Sequence, residues 1–138
     1  MLKVVLDTNM FLSGFLFHGM LKIVFDLVLD NKLQMYVSSA LTKEIIKKLQ
    51  RFEASEQMQH ELLLFISNRG ILINPKVKVT ICRDPEDNFL LELAEAAGAN
   101  YLITRDKDLL DLKDQSWKET KIVKPEVFIP ILRDKKLL

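Results

Sequence analysis

The chain has 138 residues, of which 49% are hydrophobic and 28% charged, so it has the size and balance of a globular domain and not of a disordered chain. Its net charge of +1 excludes a bulk polycation, so any binding of nucleic acid has to come from a local basic patch or from metal ions that bridge to phosphate. The single cysteine, Cys82, excludes an internal disulfide framework and fits a reducing compartment. We expect a single domain over residues 1–138.

The longest apolar region, from Met10 to Leu29, contains His18, Lys22 and Asp26, which interrupt it too often for a membrane span. Asp7 cuts the apolar run near the N-terminus, and no cleavage site of small residues follows it. We therefore expect a soluble, cytoplasmic protein without a membrane segment.

The first half of the chain alternates apolar runs of strand length with helical patterns. The run LKVVL predicts a buried strand, and apolar residues from Leu21 onward recur at helical spacing until a turn at Asp30 and Asn31. QMYVS predicts a second strand. An amphipathic helix with an apolar stripe follows it, and a further helix extends from Ser55 to Asn68 with Gly70 as its stop signal.

The second half continues the alternation. ILI and KVKVTI are predicted as strand or extended pieces separated by Pro75, and a helix from Phe89 ends at Gly98. YLIT is a strand, TKIVK is a weaker one, and Pro125 opens a last short helix. Short apolar strands that alternate with helices predict an α/β domain with a mainly parallel sheet.

Acidic residues follow two of the predicted strands. Asp7 comes directly after LKVVL, and Asp106 lies two residues beyond YLIT. In open parallel sheets, ligands bind at the carboxyl ends of the strands, where the strand order reverses. If these two strands are neighbours in the sheet, their acids share one crevice.

Ordinary structural explanations exist for these acids. Asp7 is a good helix N-cap, and Thr104 or Asp106 can start the short helix KDLLDL. Glu44 lies at the edge of the apolar face of its helix, where it can form an i,i+4 pair with Lys48. Taken alone, each explanation is adequate for its own residue.

The segment RDPEDN has an equally good structural explanation. Asp84 can be the N-cap, Pro85 fits the first helical position, and Asp87 stands near the third, where the acid of a capping box belongs. A carboxylate in the first turn of such a helix is also well placed to hold a metal ion. The structural explanations do not account for the recurrence of acids on the side where α/β sites form.

Convergence of Asp7, Glu44, Asp87 and Asp106 would make electrostatics decisive. Carboxylates within about 4–6 Å of each other raise one another's pKa and need a counter-charge to remain ionised. No lysine or histidine follows Asp7 or Asp87 closely enough to supply one locally. A hard divalent cation such as Mg²⁺ would fit, because it takes oxygen ligands. Such an ion activates water and neutralises a phosphoryl oxygen.

The acidic motifs stand in an order that resembles a PIN domain, and more narrowly the VapC-like ribonuclease toxins of prokaryotic toxin–antitoxin modules. The motifs are LDTN, LTKEI, DPEDNFLLELA and LITRDKDLL. The resemblance covers nearly the whole chain, from Val4 to the final IVKPEVFIPIL, and no acidic position of the family pattern is missing.

The resemblance implies a role for each residue at a matching position. Asp7, Glu44, Asp87 and Asp106 match the acids expected to form the catalytic pocket, with Asp7, Asp87 and Asp106 close to the metal and Glu44 positioning metal-bound water. Asp108 matches a more variable position that binds the metal through water. Asn9 and Thr104 match small polar positions that support the acids by hydrogen bonds.

The resemblance also implies a fold and an activity. The fold would be a three-layer α/β/α PIN-like domain with a mainly parallel central sheet and the site at the strand ends. The activity would be endoribonuclease cleavage that depends on Mg²⁺ or Mn²⁺ and leaves a 5′-phosphate. The expected partners are an RNA substrate, a second copy in a homodimer and a small antitoxin protein.

One helix face beside Glu44 is basic. Lys43, Lys47, Lys48 and Arg51 form it, and such a face is either solvated or a track for the RNA backbone. Trp117 can stack on a base or pack onto the edge of the domain.

Two other classes of function remain open. One is phosphoryl transfer by an aspartate, but DTN lacks the second aspartate that phosphatases of that type place two residues on. The other is a non-catalytic PIN-like domain that binds RNA or a partner and uses its acids as a structural metal site.

Overall fold

The computed structural model describes residues 1–17, 19–82 and 84–138, so His18 and Arg83 lie outside the described residues. The strands are β1 (Leu2–Leu6), β2 (Leu33–Val37), β3 (Gly70–Leu72), β4 (Tyr101–Ile103), β5 (Ser116–Trp117) and β6 (Thr120–Val123). The helices are α1 (Thr8–Leu12), α2 (Met20–Leu29), α3 (Ser39–Arg51), α4 (Glu56–Arg69), α5 (Asn88–Ala97), α6 (Lys107–Leu110) and α7 (Pro125–Asp134).

The strands form one sheet in the order β3-β2-β1-β4-β6-β5. All neighbouring pairs are parallel except β5 and β6, which form an antiparallel hairpin at the edge. The chain leaves β1 towards β2 and later returns to place β4 on the other side of β1, so the strand order reverses at β1. Helices flank the sheet, and the predicted α/β fold with a mainly parallel central sheet is confirmed.

The central strands are buried because both of their faces are covered. Val4, Val5 and Leu6 of β1 are fully inaccessible, as are Leu102 and Ile103 of β4. Such uninterrupted apolar runs are typical of parallel sheets with helices on both faces. After Lys3 in β1 and Tyr101 in β4, the remaining side chains of both strands are apolar, so the first polar groups at their carboxyl ends stand at the edge of this core.

Capping residues fix where three long helices begin or end. The Ser38 hydroxyl accepts a hydrogen bond from the Leu41 N–H at the start of α3, and Ser55 does the same for Met58 at the start of α4. Gly98 ends α5 in the left-handed conformation, with φ of 61°. These ends agree with the stop signals in the sequence.

The structure departs from the sequence prediction at KVKVTI. Residues 73–80 form no strand, and the buried Val79 donates its N–H to the Glu92 carboxylate of α5 at 2.9 Å. The Cys82 N–H is bound in the same way by the Asn88 side chain at 3.0 Å. The segment therefore satisfies its buried backbone through side chains of α5, and a ladder beyond β3 is not required.

One other detail, the strand β5, was not predicted. Ser116 and Trp117 form β5, whose two residues carry too little pattern to be recognised as a strand. Trp117 was expected to stack on a base or to pack at the domain edge. It lies on this edge strand, half-buried, and its indole N–H donates to the Glu95 carboxylate at 3.1 Å.

The apolar region near the N-terminus folds into a bent pair of helical segments, Thr8–Phe17, which ends in the π-helical turn Ser13–Phe17, and Met20–Leu29. The ring of Phe25 packs against three other aromatic rings, at centroid distances of 6.0 Å to Phe11, 5.2 Å to Phe15 and 5.1 Å to Phe65. Within the described residues, no single helix is long and apolar enough to cross a membrane, whereas the bent pair as a whole has the necessary length and composition.

Gly14→Ala should destabilise the protein by about 1–3 kcal/mol, the usual cost of overpacking a core. A Cβ at position 14 would lie 1.9 Å from Phe25 Cε2, and that ring is held by its aromatic neighbours. Gly19→Ala is the matched control, because nothing lies within 4 Å of its added methyl group. Thermal unfolding followed by circular dichroism measures both variants, and equal melting temperatures would contradict the packing argument.

Candidate metal centre at the ends of the central strands

The parallel pairing of β1 and β4 brings the first two candidate residues together. Leu6 is the register partner of Ile103, and the Asp7 N–H donates to the Ile103 carbonyl at 3.0 Å. Asp7 and Thr104 therefore follow adjacent strands at the same edge of the sheet. Strands β1 and β4 are therefore neighbours in the sheet, which is the condition for their acids to share one crevice.

The Thr104 hydroxyl connects two of the acids. It donates to Asp7 Oδ2 at 2.6 Å and accepts from the Asp106 N–H at 2.9 Å. Thr104 is fully buried, so water cannot replace either bond. The hydroxyl thus uses its donor on one acid and an acceptor position on the backbone of the next.

Asp106 both caps α6 and belongs to the acidic group. Its Oδ1 accepts from the Asp108 N–H at 2.9 Å, which is the bond of an N-cap residue. The structural explanation predicted for Asp106 is thus correct. The cap holds Asp106 and Asp108 side by side at the first turn of the helix.

The third acidic segment begins with a short 3₁₀ turn instead of the predicted start of α5. Asp84 Oδ1 accepts from the Glu86 N–H and its carbonyl accepts from the Asp87 N–H, both at 3.0 Å, around the turn Pro85–Asp87. Helix α5 begins only at Asn88. Asp87 precedes it as the cap residue but forms no side-chain capping bond, so its carboxylate is not engaged by the helix.

The carboxylates of Asp87, Asp106 and Asp108 converge. One oxygen from each lies within 4.8 Å of the other two. Asp87 Oδ2 is buried and has no hydrogen-bond partner among the described residues. Burial, followed by the close contact with Asp106, raises the pKa of Asp87 to about 7. An ionised Asp87 is therefore unfavourable in this cluster unless a cation accompanies it.

Asp7 lies beside this group, with 7% of its surface exposed. Burial raises its pKa, while the Thr104 hydrogen bond and the positive charge of Lys48 act in the opposite direction. Lys48 comes from α3 and donates to Asn9 Oδ1 at 2.8 Å. This counter-charge to Asp7 could not be recognised in the sequence, because Lys48 is 41 positions further along the chain.

Glu44 does not form the predicted pair with Lys48, because that lysine binds Asn9. The Glu44 carboxylate instead lies 3.6 Å from Lys47 Nζ, with 38% of its side chain exposed. It is outside the group of three converging carboxylates found among the described residues. Its catalytic role stays a prediction, as does RNA binding by the basic face that Lys43, Lys47, Lys48 and Arg51 form on α3.

The donor set fits a hard divalent cation. The converging ligand atoms are all carboxylate oxygens, which Mg²⁺ and Mn²⁺ prefer. A cation would neutralise the repulsion among Asp87, Asp106 and Asp108, and it would give the buried Asp87 Oδ2 a partner. The cluster lies at the switch point of an open α/β sheet, which is the position where such sheets bind their ligands.

Comparison with known proteins gives the family. Residues 3–108 match the PIN domain family, and the chain belongs to it. The uncharacterized protein MJ1680 of Methanocaldococcus jannaschii is 33% identical over 121 residues, which are 83% of this chain and 77% of that protein. A chain in the crystal structure of VapBC2 from Rickettsia felis, bound to a DNA fragment from their promoter, has a TM-score of 0.63 at 18% identity.

That structural match covers 89% of this chain and 98% of the other, and at this identity it shows a shared fold. The predicted membership of the PIN domain family is confirmed, and the matched residues include all the candidate acids from Asp7 to Asp108. PIN domains are generally nucleases that use divalent metals. The roles of the individual residues stay predictions.

Thr104→Val should lower the metal affinity of the cluster by about 10–100-fold, the usual effect of losing a group that orients metal ligands. The change removes the bond to Asp7 and leaves the Asp106 N–H without its acceptor. Thr120→Val is the matched control, because Thr120 is equally buried but binds the Ala99 carbonyl at 2.7 Å, at the opposite end of the strands.

Both threonine variants should lose stability, by about 1–3 kcal/mol, because each leaves a buried polar group unpaired. Only Thr104→Val should weaken binding of Mn²⁺ in a calorimetric titration. Equal Mn²⁺ affinities in the two variants would contradict the bridging role of the Thr104 hydroxyl.

The metal-free protein should lose stability as the pH rises from about 4 to 7. The pKa of Asp87 is about 7 in the fold against an ordinary value of 3.8, so the folded state binds more protons than the unfolded state across this interval. The stability is therefore fully present below the unfolded value and is lost as the pH rises through the folded one. The raised pKa of Asp7 acts in the same direction.

Asp87→Asn should flatten this dependence, because the amide does not titrate. Melting temperatures in the presence of a chelator at several pH values measure the effect. If the melting temperature of the wild type rises from pH 4 to 7 by the same amount as that of Asp87→Asn, the raised pKa of Asp87 is contradicted.

Proposed function

We propose that the protein is a Mg²⁺- or Mn²⁺-dependent endoribonuclease and the toxin of a toxin–antitoxin pair. The observation that carries the proposal is the convergence of Asp87, Asp106 and Asp108 around a buried carboxylate oxygen without a partner, in a member of the PIN domain family. Without a bound cation, this arrangement of carboxylates lowers the stability of the fold.

In this proposal Asp7, Asp87, Asp106 and Asp108 would hold the ion, as the family resemblance implies for these positions. When bound, the ion supplies a lowered pKa for a water molecule and neutralises charge on the scissile phosphate. Glu44 orients the attacking water. Thr104 holds Asp7 in place by a hydrogen bond, and Asn9 supports the acids indirectly by binding Lys48, whose charge acts on Asp7.

The chain's own residues set the state of the site before RNA arrives. Burial raises the pKa of Asp7, an effect that the Thr104 hydrogen bond and the Lys48 charge oppose, and burial followed by the Asp106 contact raises the pKa of Asp87 to about 7. Binding of a cation would therefore release a proton from Asp87. The buried apolar ends of β1 and β4 exclude water from behind these acids and keep the local dielectric low.

The partners proposed are an RNA substrate, a second copy of the chain and a small antitoxin. The fold shared with a chain of the Rickettsia felis VapBC2 structure supports the antitoxin as a partner. The alternative, a structural metal site without catalysis, differs in one measurable respect, which is turnover of RNA.

Asp7→Asn and Asp106→Asn should each lower RNA cleavage by more than about 100-fold, because even loss of a supporting group costs about 10–100-fold. Asn caps a helix as well as Asp does, so Asp106→Asn should leave α6 intact. Asp30→Asn is the control, since Asp30 is exposed beyond the end of α2. Cleavage of a mixed RNA pool with added Mn²⁺ is measured by gel, and products are tested for a 5′-phosphate.

Full activity in either purified Asn variant would refute the catalytic assignment. Binding of Mn²⁺ by the wild type, together with no cleavage of any RNA in the pool, would favour the structural metal site. Cleavage that persists in a chelator would exclude a metal-dependent reaction.

A further inference from the structure

A cavity of about 500 Å³ lies beside the acidic cluster. It is bounded by Arg105 and Lys107, which flank Asp106 in the chain, and by Val123 and Lys124, where β6 ends and α7 begins. The cavity is therefore at the carboxyl ends of β4 and β6, the same edge of the sheet as the acids. It lies on the far side of the cluster from α3, which follows β2 across β1.

The alternating sequence Arg-Asp-Lys-Asp separates the charges at this edge. Asp106 and Asp108 converge on Asp87. Lys107 shares the cavity with Leu110 and Asp111, three and four residues further along, so these side chains form another face of the turn. One short segment thus presents acids to the cluster and a basic side chain to the cavity.

The lining of the cavity is predominantly basic. Arg105, Lys107 and Lys124 contribute three positive charges, against one negative charge from Asp111. Lys107 and Lys124 are exposed, and Arg105 donates from Nε and Nη2 to one oxygen of Glu126 in the first turn of α7. The wall formed by Val123 and Val127 is apolar, as a surface that contacts a sugar or a base would be.

We infer that this cavity binds the nucleotide next to the bond that is cleaved, with Lys107 and Lys124 contacting its phosphate. Arg105 is a third donor that a phosphate can draw away from Glu126, because the guanidinium binds phosphate in the same bidentate way as carboxylate. The identity of the polyanion as RNA rests on the proposed function, whereas the position of the subsite rests on the cavity and its charges.

The test is the binding of a fluorescein-labelled single-stranded oligoribonucleotide to the full chain in EDTA, so that binding is measured without metal-dependent cleavage. Fluorescence anisotropy at several salt concentrations gives the slope of log affinity against log salt. Each lost phosphate contact should lower the magnitude of that slope by about 0.7 and the affinity at 0.1 M salt by about fivefold. The variant Lys107→Gln with Lys124→Gln should therefore lose about 1.4 in slope and about 25-fold in affinity.

The matched control is Lys32→Gln with Lys135→Gln, which removes the same charge from exposed positions before β2 and after α7. If both double variants lose the same affinity, the effect is one of net charge and the subsite is refuted. Wild-type RNA affinity in the cavity variant, with loss of binding to a polyglutamate peptide, would also overturn it in favour of an acidic protein partner.

Glu126→Gln tests the third donor. The change frees Arg105 from its charged partner while keeping a side chain of the same shape, so RNA affinity should rise by several-fold. Unchanged affinity would refute the part assigned to Arg105.

The same variants separate the subsite from the catalytic proposal. Mn²⁺ affinity should be unchanged in the cavity variant, because Lys107 and Lys124 line the cavity and contribute no ligand atom to the converging carboxylates. If Asp106→Asn stops cleavage while the cavity variant binds RNA normally, the subsite fails and the proposed function stands. If the wild type cleaves no RNA but binds it through these lysines, the proposed function fails and the subsite stands.

Discussion

The hydrogen bond from the buried Thr104 hydroxyl to Asp7 joins the ends of the two central strands, and the geometry of the site depends on it. Asp7 directly follows three fully buried residues, so its carboxylate needs a partner that the fold itself provides. The parallel pairing of β1 with β4 delivers that partner. The same hydroxyl then accepts from the Asp106 backbone, so the position of the next acid is tied to the first.

Repulsion within the cluster is large relative to the bonds that hold it. Two carboxylates 4.8 Å apart repel by about 3–4 kcal/mol at an effective dielectric constant of 20, against about 1 kcal/mol gained from one ordinary hydrogen bond. The pKa of the Cys82 thiol is raised to about 11, first by burial and then by the negative charge of Asp87, so the electrostatic effect of the acids extends to this neighbouring residue. That thiol is therefore protonated and unsuited to nucleophilic chemistry. Repulsion within the cluster lowers the stability of the fold, and binding of a cation would remove this destabilisation.

Local sequence patterns predicted the parts of the fold that local interactions determine. Helix α3 was recognisable from its apolar stripe, and α4 from the segment between Ser55 and the stop signal Gly70. The candidate acids could be identified from their sequence motifs. The contact of Lys48 with Asn9 could not be predicted, because it depends on the packing of α3 against α1, which no local pattern encodes. KVKVTI failed for the same reason, because side chains of α5 satisfy its backbone.

The distribution of charge explains how a chain with a net charge of only +1 can carry a site for a polyanion. An acidic cluster repels phosphate until a cation is bound, so affinity has to come from basic groups on either side of it. The exposed lysines of α3 lie on the β2 side, and Lys107 and Lys124 lie on the β6 side. A strand of RNA that contacts both would cross the acids between them. Under the proposed function, this segregation of charge along one edge of the sheet would let the acids determine the chemistry while the flanking bases determine the path of the strand.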